Sequence, residues 1–348
     1  MVIRKLTPIK KFLFLGIFLS LSFSLAAQDI HFSQFRNAPM WLNPALTGVF
    51  DGDHRITANY RSQWGTVPVG WNTLFAVFDT KVLRTKLNNG FVGLGGIINF
   101  DEAGDSRMGT FNISVNASYT HMLTKSNWLT AGVQLGGTQR SFQTDNLRFD
   151  EQWDGDRYRP DAPTGEDFSD TNVFWGDISA GANWHFKKVG SRTSLDIGLA
   201  GHHLNKPDKS FWDDDNVLEI RTTWYGVASF EAGKAFDLIL NASGSYQNPA
   251  VNHMVGLGGR FHLSQKLARE LALALGFNYR FNDGFDVGDA VYPFLEVDYR
   301  SWRVGFSYDV NVSDFTNASA GNGGPELSLR YIFKPVPIIP CRTCPTYL

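Results

Sequence analysis

Trp302-Arg303-Val304-Gly305-Phe306-Ser307-Tyr308-Asp309-Val310-Asn311-Val312-Ser313 alternates without a fault: even positions are apolar or aromatic, odd ones polar or glycine. Leu327, Leu329, Tyr331 and Phe333 repeat the pattern against Glu326, Ser328, Arg330 and Lys334, with Ile332 as the exception. Successive side chains of a strand point to opposite faces, so this hairpin has one oily face and one wet face. A half-buried soluble sheet reads the same way. Length separates the two. The runs reach about ten to twelve residues, against roughly 5–6 for an average globular strand and roughly 9–11 for a tilted strand crossing a bilayer. The hairpin is therefore expected to close a transmembrane barrel.

The rest of the chain carries the same signal. Ile56, Ala58 and Tyr60 alternate with Arg55, Thr57, Asn59 and Arg61. The second segment, 71–83, is apolar on both faces (Trp71, Leu74, Phe75, Val77, Phe78), which leaves its direction open. The third, 90–100, sets Val92, Leu94, Ile98 and Phe100 opposite Gly93, Gly95 and Asn99. The fourth is the clearest, with Phe111, Ile113, Val115, Ala117 and Tyr119 against Asn112, Ser114, Asn116, Ser118 and Thr120. Further segments begin near Leu129, Ile178, Leu195, Leu238, Val255, Leu271 and Leu295, and a less regular one covers 218–231. With the closing hairpin the count is about fourteen strands, even as bacterial single-chain barrels require. A large antiparallel sandwich is the alternative. Against it stands an inward face bearing Arg, Asp, Glu, Asn and His, which suits a polar lumen.

The connections sort by length. Even-to-odd turns such as Arg84–Asn89, Leu123–Asn127 and Lys187–Arg192 are short and basic, whereas several odd-to-even loops, above all Ser141–Thr171 and Leu204–Val217, are long and rich in Asp. Short periplasmic turns and long outer loops are the barrel rule. The chain has 348 residues, a net charge of −2, 34 glycines and 14% aromatics. That charge offers no case for nucleic acid. At the start, Arg4, Lys5, Lys10 and Lys11 precede the apolar run Phe12–Leu25 and then Ala26-Ala27-Gln28, the pattern of a secretory signal peptide cleaved after Ala26 or Ala27. The expected layout is a signal peptide over 1–27, an N-terminal plug or periplasmic segment over 28–53, an outer-membrane barrel over 54–334 and a periplasmic tail over 335–348.

The pre-barrel segment reads Asp29-Ile30-His31-Phe32-Ser33-Gln34-Phe35, then Pro39, then Leu42-Asn43-Pro44-Ala45-Leu46-Thr47-Gly48. This resembles the opening of the PorP/SprF family of outer-membrane proteins of the type IX secretion system. Gln63-Trp64, Asp101 with Gly104, Asn146-Leu147 with Asp150-Glu151-Gln152, Gly201-His202-His203-Leu204-Asn205-Lys206-Pro207 and Gly324-Pro325-Glu326-Leu327 are similar to the family too, as is the tail with Cys344-Pro345. A second thiol, Cys341, departs from it. The resemblance implies a monomeric barrel tied to protein export and gliding machinery. Its implied partners are outer-membrane lipid, other secretion components and a large adhesin-like surface protein that it helps to deliver or retain. On the residues themselves, Pro44 cannot join a central ladder, and Phe32, Phe35, Trp41 and Leu42 are too apolar for a free tail. The segment is expected to pack in the lumen or against the periplasmic mouth.

Other chemistry is weak. Cys341-x-x-Cys344 is two thiols where a zinc site takes four ligands; in an exported chain a disulfide is the first expectation, with free thiols or a redox role as alternatives. His202 and His203 point to opposite faces of a regular strand, so only one ring is expected at the lumen and no metal pair. Asp150, Asp154 and Asp156, and Asp213-Asp214-Asp215, match no complete calcium loop and read as solvated acidic stretches. Gly256-Leu257-Gly258-Gly259 has no following helix, so it is no dinucleotide fingerprint. No cofactor and no enzymatic activity are expected, because the outward positions offer no Ser–His pair. Partner contact is expected from the 141–171 loop, through Phe149, Trp153, Tyr158 and Phe168. A small-solute channel is the alternative function.

Overall fold

The computed structural model describes residues 29–334 apart from 66–69, 146, 213–215, 267–268, 283–287 and 314–315. The expected signal peptide over 1–27, the expected tail over 335–348 with Cys341 and Cys344, Asn146 and the Asp213–Asp215 run lie outside the described residues. No helix among the described residues is long and apolar enough to cross a membrane.

The described chain forms fourteen antiparallel strands. They are β1 (His54–Gln63), β2 (Trp71–Val82), β3 (Gly90–Ala103), β4 (Met108–Thr124), β5 (Asn127–Ser141), β6 (Asn172–Lys187) and β7 (Ser194–His202). The second half comprises β8 (Arg221–Gly233), β9 (Phe236–Gln247), β10 (Ala250–Ser264), β11 (Leu271–Phe281), β12 (Gly288–Tyr299), β13 (Trp302–Asn311) and β14 (Asn322–Phe333). Each strand pairs with its neighbours in sequence. β1 pairs with β14, from His54 opposite Phe333 to Arg61 opposite Glu326, so the sheet closes on itself. Closure satisfies every edge, which lipid demands of a spanning sheet.

The side chains face as the alternation predicts. On β4, Val115 is 63% exposed on the outer wall while its neighbour Ser114 is 2% exposed inside. On the outer wall the Trp302 and Tyr331 rings meet at a tilt with centroids 4.5 Å apart, and Tyr331 meets Phe333 edge-on at 4.6 Å, an aromatic girdle at the short-turn end. β13 ends at Asn311, two residues before the alternation does, although the Val312 N–H still bonds in register across to the Asp289 carbonyl of β12. β8 starts at Arg221, not 218, because the Leu218 N–H bonds to Pro207 within the preceding loop.

β2 resolves its ambiguity. Leu74 and Phe78 face outward, while Phe75 and Val77 face the lumen and are buried with Ile97 of β3. Apolar residues belong on that inner face because Phe32, Ala38 and Met40 of the N-terminal segment cover them.

Candidate functional site

The N-terminal segment runs through the barrel. Its first described residue, Asp29, sits at the long-loop end, where its N–H donates to Gln247 at the close of β9 (3.1 Å). Its last part reaches the short-turn end, where Asp51 meets Lys187 (2.5 Å) and Asp53 pairs with Arg84. The segment thus crosses the lumen, where the sequence had left a periplasmic mouth position equally open.

Asp29 anchors the start. Its Oδ2 lies 2.5 Å from Nε2 of His203 and 3.3 Å from Nε of Arg221, and Nδ1 of His203 lies 3.0 Å from Asp177. Burial alone would push the Asp29 carboxyl up, but Arg221 and His203 hold it well below the usual carboxylate range. Burial would likewise lower the His203 pKa, yet Asp29 and Asp177 raise it to about 9, so the ring is cationic near neutrality. His203 follows β7 with φ of 59°, which turns it inward, so both His202 and His203 are buried. The one-ring expectation from strict alternation fails at this turn.

Ser33 and Gln34 dock on the polar face of the closing hairpin. The Ser33 hydroxyl donates to Asp309 (2.6 Å) and its N–H to Glu326 (2.7 Å). The Gln34 N–H donates to Glu326 (3.1 Å), and its side-chain amide donates to the Glu326 carbonyl (2.8 Å). Arg61 pairs with Asp309 (2.8 Å) and donates to the His31 carbonyl; Arg280 also reaches Asp309 (3.1 Å). Arg36 and Asn37 continue the network to Glu296, at 2.9 and 3.3 Å. Charges this deeply buried persist only when paired and hydrogen-bonded on several sides.

The Asn43-Pro44-Ala45 turn is seated by glycine. Pro39 opens a short helical turn, Pro39–Leu42, and Pro44 a second, Pro44–Leu46. Asn43 donates to the carbonyls of Ala182 (3.0 Å) and Leu199 (3.1 Å) on β6 and β7, and accepts from the Ala45 N–H (2.8 Å). A Cβ on Gly181 would lie 2.1 Å from the Asn43 oxygen, and one on Gly132 would lie 2.6 Å from the Ala45 nitrogen. Gly48, at φ of 75°, donates its N–H to Asp79 (2.7 Å), which Arg55 also grips. Thus Asp29, Phe32, Ser33, Gln34, Pro39, Asn43, Pro44, Ala45 and Gly48 all meet the barrel interior.

Between this segment and the long-loop end lies a cavity of ≈ 610 Å³. Asp29, Ile30, His31 and Trp41 border it on one side, and Trp64, Trp71, Trp175 and Arg140 stand among the wall residues.

The long loop is split. Phe149 and Phe168 meet at 5.4 Å and join Phe142, which packs against Phe211 of the next long loop at 5.0 Å. Trp153 and Tyr158 instead pair in a small bridge, with Trp153 57% exposed and the Tyr158 hydroxyl donating to Gln152 (3.0 Å). Asp154 is committed to Arg159 (2.6 Å) and to the N–H groups of Asp156 and Arg157. Among the described residues no cluster of His, Cys, Asp or Glu is arranged to hold a metal.

Sequence reading missed Arg280, Arg221, Asp177 and Gly181 as partners of the opening segment. Charged residues at inward strand positions were the available signal, since each needs a counter-charge across the lumen.

The chain is similar in shape to several solved barrels. They include the Ralstonia pickettii toluene transporter TbuX (10% identity, 85% of this chain and 94% of that one, TM-score 0.48) and the Pseudomonas putida toluene transporter TodX (9%, 87% and 93%, 0.49). A Pseudomonas aeruginosa FadL homologue is a third (11%, 84% and 93%, 0.48). Nothing about transport passes from them to this chain at such identity. No curated protein matches it. The family described as "Type IX secretion system membrane protein PorP/SprF" matches residues 24–331, nearly the whole chain. This outer-membrane barrel, with its opening motif folded into its own lumen, belongs to the PorP/SprF family.

Proposed function

We propose that the barrel is an accessory of the type IX secretion and gliding machinery that helps to deliver or retain a secreted adhesin-like protein at the cell surface. In this reading residues 29–50 are a built-in plug, the long loops face outward and the short turns face the periplasm. Outer-membrane lipid surrounds the wall, and other secretion components are partners. The observation that carries the reading is the family match across 24–331, together with a lumen occupied by the chain's own polar and apolar anchors. A barrel so filled is suited to display and attachment more than to bulk passage. No catalytic role is assigned to any residue.

The rim offers a contact surface in this reading: Trp212 stands exposed against Phe211 of the Phe142–Phe149–Phe168–Phe211 cluster (6.1 Å), and Trp153 is exposed elsewhere on the 141–171 loop. Exposed aromatics clustered on a surface mark interaction sites. Replacing 145–168 with a short Gly-Ser linker is expected to release the surface protein into the medium while heat-modifiable migration of the barrel persists. Unchanged surface retention with a folded barrel would remove the loop from the partner interface.

A further inference from the structure

The ≈ 610 Å³ cavity has a charge pattern that the plugging role does not use. Its size falls within the roughly 300–1,000 Å³ typical of small-ligand sites. Four indoles line it, those of Trp41, Trp64, Trp71 and Trp175. Five cationic side chains stand against three carboxylates, Asp29, Asp101 and Asp177. Three of the cations are already engaged: Arg61 with Asp309 (2.8 Å), Arg221 with Asp29 (3.3 Å), and His203 with Asp29 (2.5 Å) and Asp177 (3.0 Å).

Arg140 and Lys209 remain. Among the described residues neither has a carboxylate within the 4.0 Å of an ion pair. The Arg140 guanidinium makes one hydrogen bond, to the Met108 sulfur (3.2 Å), and its buried Nε has no partner. Asp101, the remaining carboxylate, accepts from Thr73 (2.5 Å). His31, on the N-terminal side of the same cavity, has a buried Nε2 without a partner. A half-buried guanidinium left short of acceptors is costly, and a planar anion offers it two parallel bonds.

We infer that this cavity binds a carboxylate carried on an aromatic or apolar body, with Arg140 and Lys209 holding the anion and the tryptophans enclosing the body. The indoles favour a ring over a bare anion, since offset or edge-on aromatic contacts add to the area buried. Such a carboxylate has two sources, a free small acid or the carboxyl end of a peptide chain with an aromatic last residue. The site stands whether or not the barrel serves secretion.

The test is calorimetry on the purified, folded mature protein in detergent, with tryptophan fluorescence as second readout. One arm titrates 3-phenylpropionate against 3-phenylpropylamine and 3-phenylpropanol. The other titrates Gly-Gly-Phe with a free carboxylate against its C-terminal amide. Saturable binding of either acid, with its amine, alcohol or amide at least about tenfold weaker, is expected; the arm that binds identifies the source. Arg140→Gln and Lys209→Gln are each expected to weaken that binding by about tenfold, while Lys234→Gln at the other end leaves it unchanged. Heat-modifiable migration confirms that each variant is folded. Absence of saturable binding by both acids overturns the site, as does binding indifferent to charge or to both substitutions.

Discussion

At the residue scale, Asp309 is the most exacting position. It is 1% exposed and answers Arg61, Arg280 and the Ser33 hydroxyl at once. Asp309→Ala leaves the buried Arg61 guanidinium with only Glu326 at 3.9 Å and Arg280 with Asp289 alone (2.5 Å), and is expected to cost about 3–5 kcal/mol. Ser33→Ala removes hydrogen bonds to a charged group and is expected to cost about 1.5–3 kcal/mol. Urea unfolding in micelles, followed by tryptophan fluorescence, measures both; equal costs would contradict the ranking. Asp29 and His203 make the anchor pH-sensitive. His203 has its folded pKa raised to about 9, above its ordinary value, so its contribution is fully present below about pH 6.5 and is lost as pH rises through about 9. Asp29 has its pKa lowered, so its contribution is present above the usual carboxylate range and is lost on acidification through its folded pKa. Hydrogen-exchange protection of residues 29–31 should therefore hold at neutral pH and fall above pH 9. His203→Gln should abolish the alkaline fall; a fall that persists in that variant would assign it to another group.

At the scale of the element, the strands were legible because each carries its own evidence. Val115 and Ser114 read as outer and inner from their neighbours alone, and the structure faces them so. Val115→Arg is expected to cost about 2–4 kcal/mol at mid-bilayer depth, with Ser114→Arg costing less; equal costs in a refolding titration would overturn the assigned faces. The path of the N-terminal segment was not legible. Its partners lie nearly three hundred residues away, as in Ser33 with Glu326, and periodicity speaks only of the strand that bears it. The clues were exceptions to the alternation. Phe75, Val77 and Ile97 are apolar on a polar face because Phe32 and Met40 cover them. Gly181 is small because Asn43 reaches past it to the wall carbonyls. Gly181→Ala should therefore loosen the segment without opening the wall, read as faster proteolysis within residues 29–50 of a barrel that still migrates as folded.

For the whole molecule, closure and filling are separate achievements. β1 against β14 closes the wall, and the closing hairpin that reveals the barrel in sequence also presents Asp309, Glu326 and Ser328 to the opening motif. One hairpin therefore holds the segment that precedes β1, so the last strand completes the seat for residues 33–37. The loops were legible as long and aromatic, but not that Phe142 would bridge two of them through Phe168 and Phe211. Planar-bilayer conductance of the purified mature protein tests the filled lumen most directly. The wild-type barrel is expected to give no large steady conductance, and Asp309→Ala, with its segment unmoored, to give frequent openings. A large, steady channel in the wild-type protein would contradict a lumen plugged by residues 29–50.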